Sequence, residues 1–400
     1  MNKLGEPETG GYRSLLSYGL IVMTITHTLT HAFQQMHTAL YPILKVEFAL
    51  SNQQIGLISS IPSLAAAILT IPAGLATDKL GTKKMIFFSS VIAATGALTA
   101  GFAQNPWVFI LAVSLFYLST TFYHPASYSF TSFLFAPKDR SKALGIHGAG
   151  GTLGMALGPI SISILVGLFA FGWRQVYMAW VVPLILSAFM VYFIKYVPTG
   201  DVQVKTGDGK PAGQVEKLLS ASLVMFLVFG ALRTVAANMT VTFLNIWLVE
   251  TRGLDIALAS LVFGASSLMG IVAAPLGGIF AAKYGEKRWI TYTLAFAYVS
   301  FALAFLVPGN WSFASFYLGY GFFNLLGMAA NSAISAKLSP SRQRGLGFAL
   351  YFLPGSIMGA FAPMIAAYIA DMFGVFNVFM LSVGVFALTW IMFQFGVKVD

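Results

Sequence analysis

Apolar runs long enough to cross a bilayer recur twelve times along this chain, and that recurrence leaves few folds open. Their approximate bounds are 15–44, 53–77, 84–103, 107–134, 142–171, 174–196, 218–248, 257–282, 288–307, 311–336, 345–370 and 375–397. A span needs roughly 20 apolar residues in a helix, because backbone polar groups in lipid find partners only within the helix itself. A soluble fold fails on composition. Of 400 residues, 58% are hydrophobic and 9% charged, too few charges to clothe a globular surface. The fold class is an all-α membrane protein with twelve transmembrane helices.

The placement of charge sets the topology. The net charge is +10, and most of the 23 Lys and Arg lie in the two tails and the five even-to-odd loops, all on one side. Lys45, Arg174 and Arg252 lie near the opposite side, and Arg233 falls inside a span. This asymmetry places both termini in the cytoplasm. The expected location is the cytoplasmic (inner) membrane, with the chain as a multi-pass protein. The basic balance is thus a topology signal and not a nucleic-acid footprint. Met1 to Tyr12 are polar and lack an apolar h-region, so no cleaved signal peptide is expected. The absence of cysteine excludes disulfides, thiolate metal sites and thiol catalysis. Neither a P-loop nor a G-x-S-x-G motif occurs, so ATP-driven transport and hydrolase chemistry find no support, and no enzyme activity or cofactor is expected.

The first span is the most polar. At about 100° per residue, Thr24, His27, His31, Gln34 and Thr38 share one face of a helix, with Gln35 at its edge. Such a stripe cannot face lipid cheaply, and ionisable groups at membrane depth mark a substrate or ion path. The chain should move something across a membrane.

Its two halves repeat. Gly74-Leu-Ala-Thr-Asp78-Lys79-Leu-Gly81-Thr-Lys83-Lys84, after the second span, aligns without a gap with Gly278 to Arg288 after the eighth. Lys45-Val-Glu47 likewise matches Leu248-Val-Glu250, and Arg140 to Gly145 matches Arg342 to Gly347. The chain is a six-helix unit repeated in parallel: an N-terminal bundle at 1–197, a polar cytoplasmic linker at 198–217, and a C-terminal bundle at 218–400.

Two pseudo-symmetric six-helix bundles with a basic loop after the second helix resemble the major facilitator superfamily over the whole chain. That family's loop motif is nearly complete from Gly74 to Lys84, with Thr82 its one soft departure. The resemblance implies a gating role for Gly74, Asp78, Lys79, Gly81, Lys83 and Lys84, in which Asp78 helps latch the cytoplasmic side shut. Ala282 stands at the matching place in the second half, so any latch is one-sided. The first half is similar to the fosmidomycin-resistance branch of drug exporters in His27 through Tyr41-Pro42-Ile-Leu-Lys-Val-Glu47-Phe48, in Ser119 to Pro125, and in Gly150 to Pro159. Arg233 followed by Phe243 to Leu248 is similar to that branch's seventh helix. Where the branch commonly has H-x-x-N-D in its first helix, this chain has His27-Thr-Leu-Thr30-His31 and no carboxylate.

The resemblance also implies that helices 1, 4, 7 and 10 line a central cavity. The candidate substrate-binding or coupling residues on them are His27, His31, Gln34, Tyr117, Thr121, His124, Tyr128, Arg233, Asn238, Tyr320 and Asn324. Thr234, Asn238 and Asn245 share a face of the seventh helix, from which Arg233 points about 100° away. Either the helix is irregular there, or Arg233 serves a neighbouring helix. All 13 carboxylates fall in tails, loops or span ends. A cavity with one fixed cation and several imidazoles should favour an anion over a lipophilic cation. His37 and His147 are read as groups that bond neighbouring helices.

His27 and His31 also have the i, i+4 spacing of a metal pair. With no carboxylate or thiol nearby, a divalent site would need His124 and a water, and no metal site is assigned. Gly150, Gly154, Gly158 and Pro159 partly match a motif of antiporters; glycines every four residues also let the fifth helix pack closely, here expected against the other half.

The expected function is secondary active transport by alternating access: proton-linked export of a small organic compound or drug, anionic in character. Proton-coupled uptake of such an anion, or a sensor with the same fold, are the alternatives. The expected partners are a small-molecule substrate, protons and the lipid bilayer, without nucleic acid, and the chain is expected to act as a monomer.

Overall fold

The computed structural model describes residues 17–135, 137–195, 220–338 and 344–399. The linker expected at 198–217 lies outside the described residues, as does the tail before residue 17. Among the described residues all regular structure is helical. The first half comprises α1 (Tyr18–Ala39), the short α2 (Tyr41–Glu47), α3 (Asn52–Leu80), α4 (Thr82–Gly101), α5 (Pro106–Leu134), α6 (Pro137–Ile162), which runs on into a π-helical turn at Ser163–Leu168, and α7 (Trp173–Tyr192). The second comprises α8 (Ala221–Glu250), α9 (Ile256–Leu268), α10 (Gly270–Tyr284), α11 (Glu286–Leu306), α12 (Asn310–Leu326), α13 (Met328–Leu338), α14 (Arg344–Phe373) and α15 (Val375–Gly396). With α9–α10 and α12–α13 each forming one broken span, these are the twelve expected crossings in two six-helix bundles.

Among the described residues, eleven spans are both long and apolar enough to cross a membrane. The exception is α1, whose 22 residues suffice in length but whose polar stripe lowers its apolarity. The helices start where the sequence supplies caps. Ser51, Asn105, Ser220 and Asp255 precede α3, α5, α8 and α9, each accepting a first-turn N–H on its side-chain oxygen. The run expected at 15–44 divides at Leu40, with Pro42 in the first turn of α2. Proline is tolerated there because first-turn N–H groups lack helical partners anyway.

The breaks within spans have local causes. Pro275 cannot donate to the carbonyl four residues before it, and α9 gives way to α10 just upstream, at Met269. α12 stops at Gly327, and the carbonyl of Leu326 there accepts the indole N–H of Trp289 at 3.1 Å. Broken helices in a membrane are tolerated where freed backbone groups find such partners.

Each half packs around its own aromatic group. Phe33, Phe109, Phe116, Trp173 and Tyr177 interlock in the first half, and Trp247, Phe305, Phe313 and Phe379 in the second. In the first half, Gly150, Gly154 and Gly158 of α6 lie against Thr24, Thr28 and Ala32 of α1, where an added Cβ would strike backbone carbonyls. These glycines therefore serve contact within the first half and not, as expected from the sequence, contact with the other half. Across the halves, Gly264 of α9 meets Ala156 and Ile160 of α6, and Gly56 of α3 meets Pro363 and Ala367 of α14.

Polar contacts between the halves gather at the end remote from residues 17 and 399. Lys45 pairs with Glu250 at 2.9 Å, Asn52 donates to Asp371 at 2.9 Å, and Asn245 donates to the carbonyl of Ala39 at 3.2 Å. At the opposite end, Gly81 and Gly285 each turn the chain with φ of 87°, a conformation that glycine adopts without a Cβ clash. Lys83 donates to the carbonyl of Ile194. Asp78 is exposed, and among the described residues it has no hydrogen-bond or ion-pair partner; a Cβ added at Gly74 would meet nothing within 4 Å.

Candidate functional site

Two polar centres lie inside the helices, one in each half. In the first, α1, α5 and α6 bring four imidazoles together. The rings of His27 and His147 stack with centroids 4.2 Å apart. His31 lies 4.8 Å from His27 and 5.2 Å from His124, centroid to centroid. The close approach follows from Gly151, where a Cβ would strike the rings of His27 and His31.

Hydrogen bonds dictate the tautomers. His27 Nδ1 donates to the carbonyl of His147 at 2.7 Å, and His124 Nδ1 donates to the carbonyl of Thr120 at 2.8 Å. His147 Nδ1 donates to the carbonyl of Met23 at 3.2 Å, and its Nε2 accepts from the Ser127 hydroxyl at 3.3 Å. A backbone carbonyl only accepts, so in His27, His124 and His147 the proton sits on Nδ1 and the lone pair on Nε2. The Nε2 of His124 is 3.2 Å from that of His31. Since His124 offers its Nε2 lone pair, His31 Nε2–H is the donor in this contact. His27 Nε2 is buried and, among the described residues, finds no hydrogen-bond partner. One ring nitrogen from each of His27, His31 and His124 lies within 4.8 Å of the other two. Around the imidazoles, Tyr123 donates to the carbonyl of Met23 and contacts Thr26, and Tyr128 sets its ring edge-on to His147 at 5.0 Å.

The second centre is a cavity of about 310 Å³, the size of a small-ligand pocket. Arg233, Thr234, Tyr320, Asn324, Asn331 and Phe386 are among its lining residues. Arg233 Nη2 donates to Asn324 Oδ1 at 2.8 Å, and the guanidinium lies over the ring of Phe229 at 5.3 Å. Of the described residues lining the cavity, Arg233 alone carries a charge. The break at Gly327 turns the chain at its wall.

The candidate residues thus sort into groups. His27, His31, His124 and Tyr128 meet in the first centre; Arg233, Tyr320 and Asn324 meet in the second. Asn238 donates to the carbonyl of Gly359 at 2.9 Å and so ties α8 to α14. Thr121 donates back to the carbonyl of Tyr117 within α5 at 2.8 Å. Gln34 and Tyr117 lie further along α1 and α5, where Tyr117 sets its ring against His37 at 5.9 Å. The question over Arg233 is settled: α8 runs without interruption, and Arg233 serves α12 while Asn238 serves α14.

His147 bonds neighbouring helices as expected, yet it also belongs to the imidazole group. His37 does not: among the described residues no hydrogen bond ties its buried ring to another helix. Asn331 and Phe386 were absent from the candidate residues. Asn331 lay on the same polar face as Tyr320 and Asn324, a usable signal; Phe386, in an apolar run, gave none.

Comparison with known proteins agrees with the all-helical transporter fold. The chain is 24% identical over 299 residues to the fosmidomycin resistance protein of Escherichia coli (strain K12), covering 72% of each chain. It is 23% identical over 339 residues to a probable nitrate transporter, NarT, of Staphylococcus epidermidis, covering 84% of each. Its fold superposes with a TM-score of 0.82 and 17% identity on a bacterial homologue of the human lysosomal transporter Spinster, solved in an inward-facing and occupied conformation, over 96% of this chain and 97% of that one. The family model of the Major Facilitator Superfamily matches residues 23–323 and 232–400, and the chain belongs to that superfamily of membrane transporters and is not an enzyme.

Proposed function

We propose that this transporter carries a small organic anion or drug by alternating access between its two bundles, and exports it in a proton-linked exchange. The observation that carries the anion reading is Arg233, held by Asn324 on the wall of the 310 Å³ cavity. A guanidinium keeps its charge at any physiological pH, and its fork suits carboxylates and phosphonates. It repels lipophilic cations. The likeness to a probable nitrate transporter supports an anion, and that to a fosmidomycin resistance protein supports export. The remaining parts of the reading are 1–197 and 218–400 as moving bodies joined by a cytoplasmic linker at 198–217, both termini in the cytoplasm of an inner-membrane protein, and a monomer as the working unit. The motif from Gly74 to Lys84 acts as the gate.

Proton-coupled uptake is the second reading. An interior with a fixed cation and several imidazoles draws anions and protons into the same space, and ligands that favour each other's binding suit co-transport.

Counterflow in proteoliposomes against phosphonates, carboxylates and cationic drugs tests the proposal. Exchange restricted to anions supports it, and exchange restricted to cations overturns it. An imposed pH gradient then fixes the direction: antiport drives the anion towards the acidic compartment, and symport towards the alkaline one.

A further inference from the structure

The imidazoles of the first half have an arrangement that anion transport through the Arg233 cavity does not call for. We infer that His27, His31 and His124 form a binding site for a borderline divalent transition metal such as Zn²⁺ or Co²⁺, with a fourth position left to water. Three observations converge on it. The first is convergence itself: one ring nitrogen of each residue lies within 4.8 Å of the others, on two helices packed side by side. A tetrahedral ion with bonds of 2.0–2.1 Å separates its ligand nitrogens by about 3.3–3.4 Å. The His31 and His124 nitrogens already stand 3.2 Å apart. Bringing in the third ligand shortens its separations by no more than about 1.4 Å, within reach of side-chain rotation.

The second observation is the outer contacts. A metal-ligating histidine characteristically donates its other ring N–H to a carbonyl or carboxylate, which fixes the tautomer and aims the lone pair at the ion. His27 and His124 do this, through the carbonyls of His147 and Thr120 at 2.7 and 2.8 Å. The third is the orphaned nitrogen. Among the described residues His27 Nε2 is buried without a hydrogen-bond partner on a residue only 3% exposed, an arrangement that costs free energy and that a ligand relieves.

The ligand set decides the class of ion. Three neutral imidazoles suit zinc, cobalt, nickel or copper; magnesium and calcium demand oxygen ligands, and a thiophilic site would need sulfur. No charge on the ligands offsets that of the ion, so the site keeps a net positive charge and an open coordination position.

The test is titration of the purified, chelator-treated chain in nanodiscs with Co²⁺, whose visible d–d absorption reports four-coordination, followed by competition with Zn²⁺. One Co²⁺ per chain with the four-coordinate spectrum is expected. Loss of an outer-shell contact costs metal sites about 10–100-fold in affinity, so His31→Gln and His124→Gln should each weaken binding by at least about tenfold. His37→Gln, on the same helix but outside the cluster, should leave it unchanged. Circular dichroism of each variant confirms the helical fold. Absence of a four-coordinate spectrum in the wild type, or equal affinity in wild type and the His31→Gln/His124→Gln double variant, overturns the site. The readout involves no anion, so its failure leaves the anion reading standing, and the reverse.

Discussion

Arg233 and Asn324 meet across α8 and α12 in the second half, Nη2 to Oδ1 at 2.8 Å, much as His31 and His124 meet across α1 and α5 in the first at 3.2 Å. The two pairs occupy matching helices of the repeat, so the same scaffold holds a permanent cation in one half and an imidazole pair in the other. Duplication supplied the frame, and divergence separated the chemistry.

That relationship gives the amide a positioning role. Asn324→Leu should weaken anion binding, because a hydrogen bond to a charged group contributes about 1.5–3 kcal/mol and its loss frees the guanidinium to turn away. Asn324→Asp should do more, because a carboxylate against Arg233 competes directly with the substrate anion. Binding isotherms with a transported anion check both, and the expected order of affinity is wild type, then Leu, then Asp.

Packing between α1 and α6 yields a second prediction. Gly154→Val drives carbon into the carbonyl of Thr28, which as backbone cannot yield cheaply, and should destabilise the protein by about 1–3 kcal/mol or more. Gly74→Ala meets nothing within 4 Å and should be neutral or stabilise α3 by up to about 1 kcal/mol. Thermal unfolding in detergent separates them. Should Gly74→Ala keep its stability yet slow transport, the glycine is needed in the state where the motif end is shut.

Much of this was legible in the residues. Hydropathy pointed to the spans, although the polar stripe of α1 leaves that helix the least apolar of them, and the motif from Gly74 to Lys84 with its copy pointed to the repeat. The direction of Arg233 was not legible, because a helical wheel places a Cα while a long side chain reaches for a partner on another helix. The breaks at Met269 and Gly327 were hidden for a related reason: apolarity continues through them, and at Gly327 the group that satisfies the freed Leu326 carbonyl, the indole N–H of Trp289, lies on another helix. The glycines of α6 announced a close contact but not its partner, which proved to be α1. His124 joined His27 and His31 through the adjacency of α1 and α5, which a linear chain does not display.

A third prediction concerns the gate. Asp78 has no partner among the described residues, while the opposite end is held by Lys45 with Glu250 and Asn52 with Asp371. Asp78→Asn should therefore leave this conformation intact and cost only the alternative one, in which the motif end closes. A charge-assisted contact made in one state alone shifts the equilibrium by about 1–3 kcal/mol. Spin-label distances between the loops around Gly81 and Gly285 should lengthen on average in the variant, and unchanged distributions refute the latch.

The central claim is that Arg233 selects an anion, and paired binding measurements on Arg233→Gln test it most directly. A transported anion and its neutral isostere are titrated against wild type and variant in nanodiscs. Removing one unit charge about 4 Å away at an effective dielectric near 20 costs up to about 4 kcal/mol before relaxation. The account predicts that the anion loses most of its affinity while the neutral isostere changes little. Equal losses for the two ligands would contradict it and leave Arg233 as a structural strut between α8 and α12.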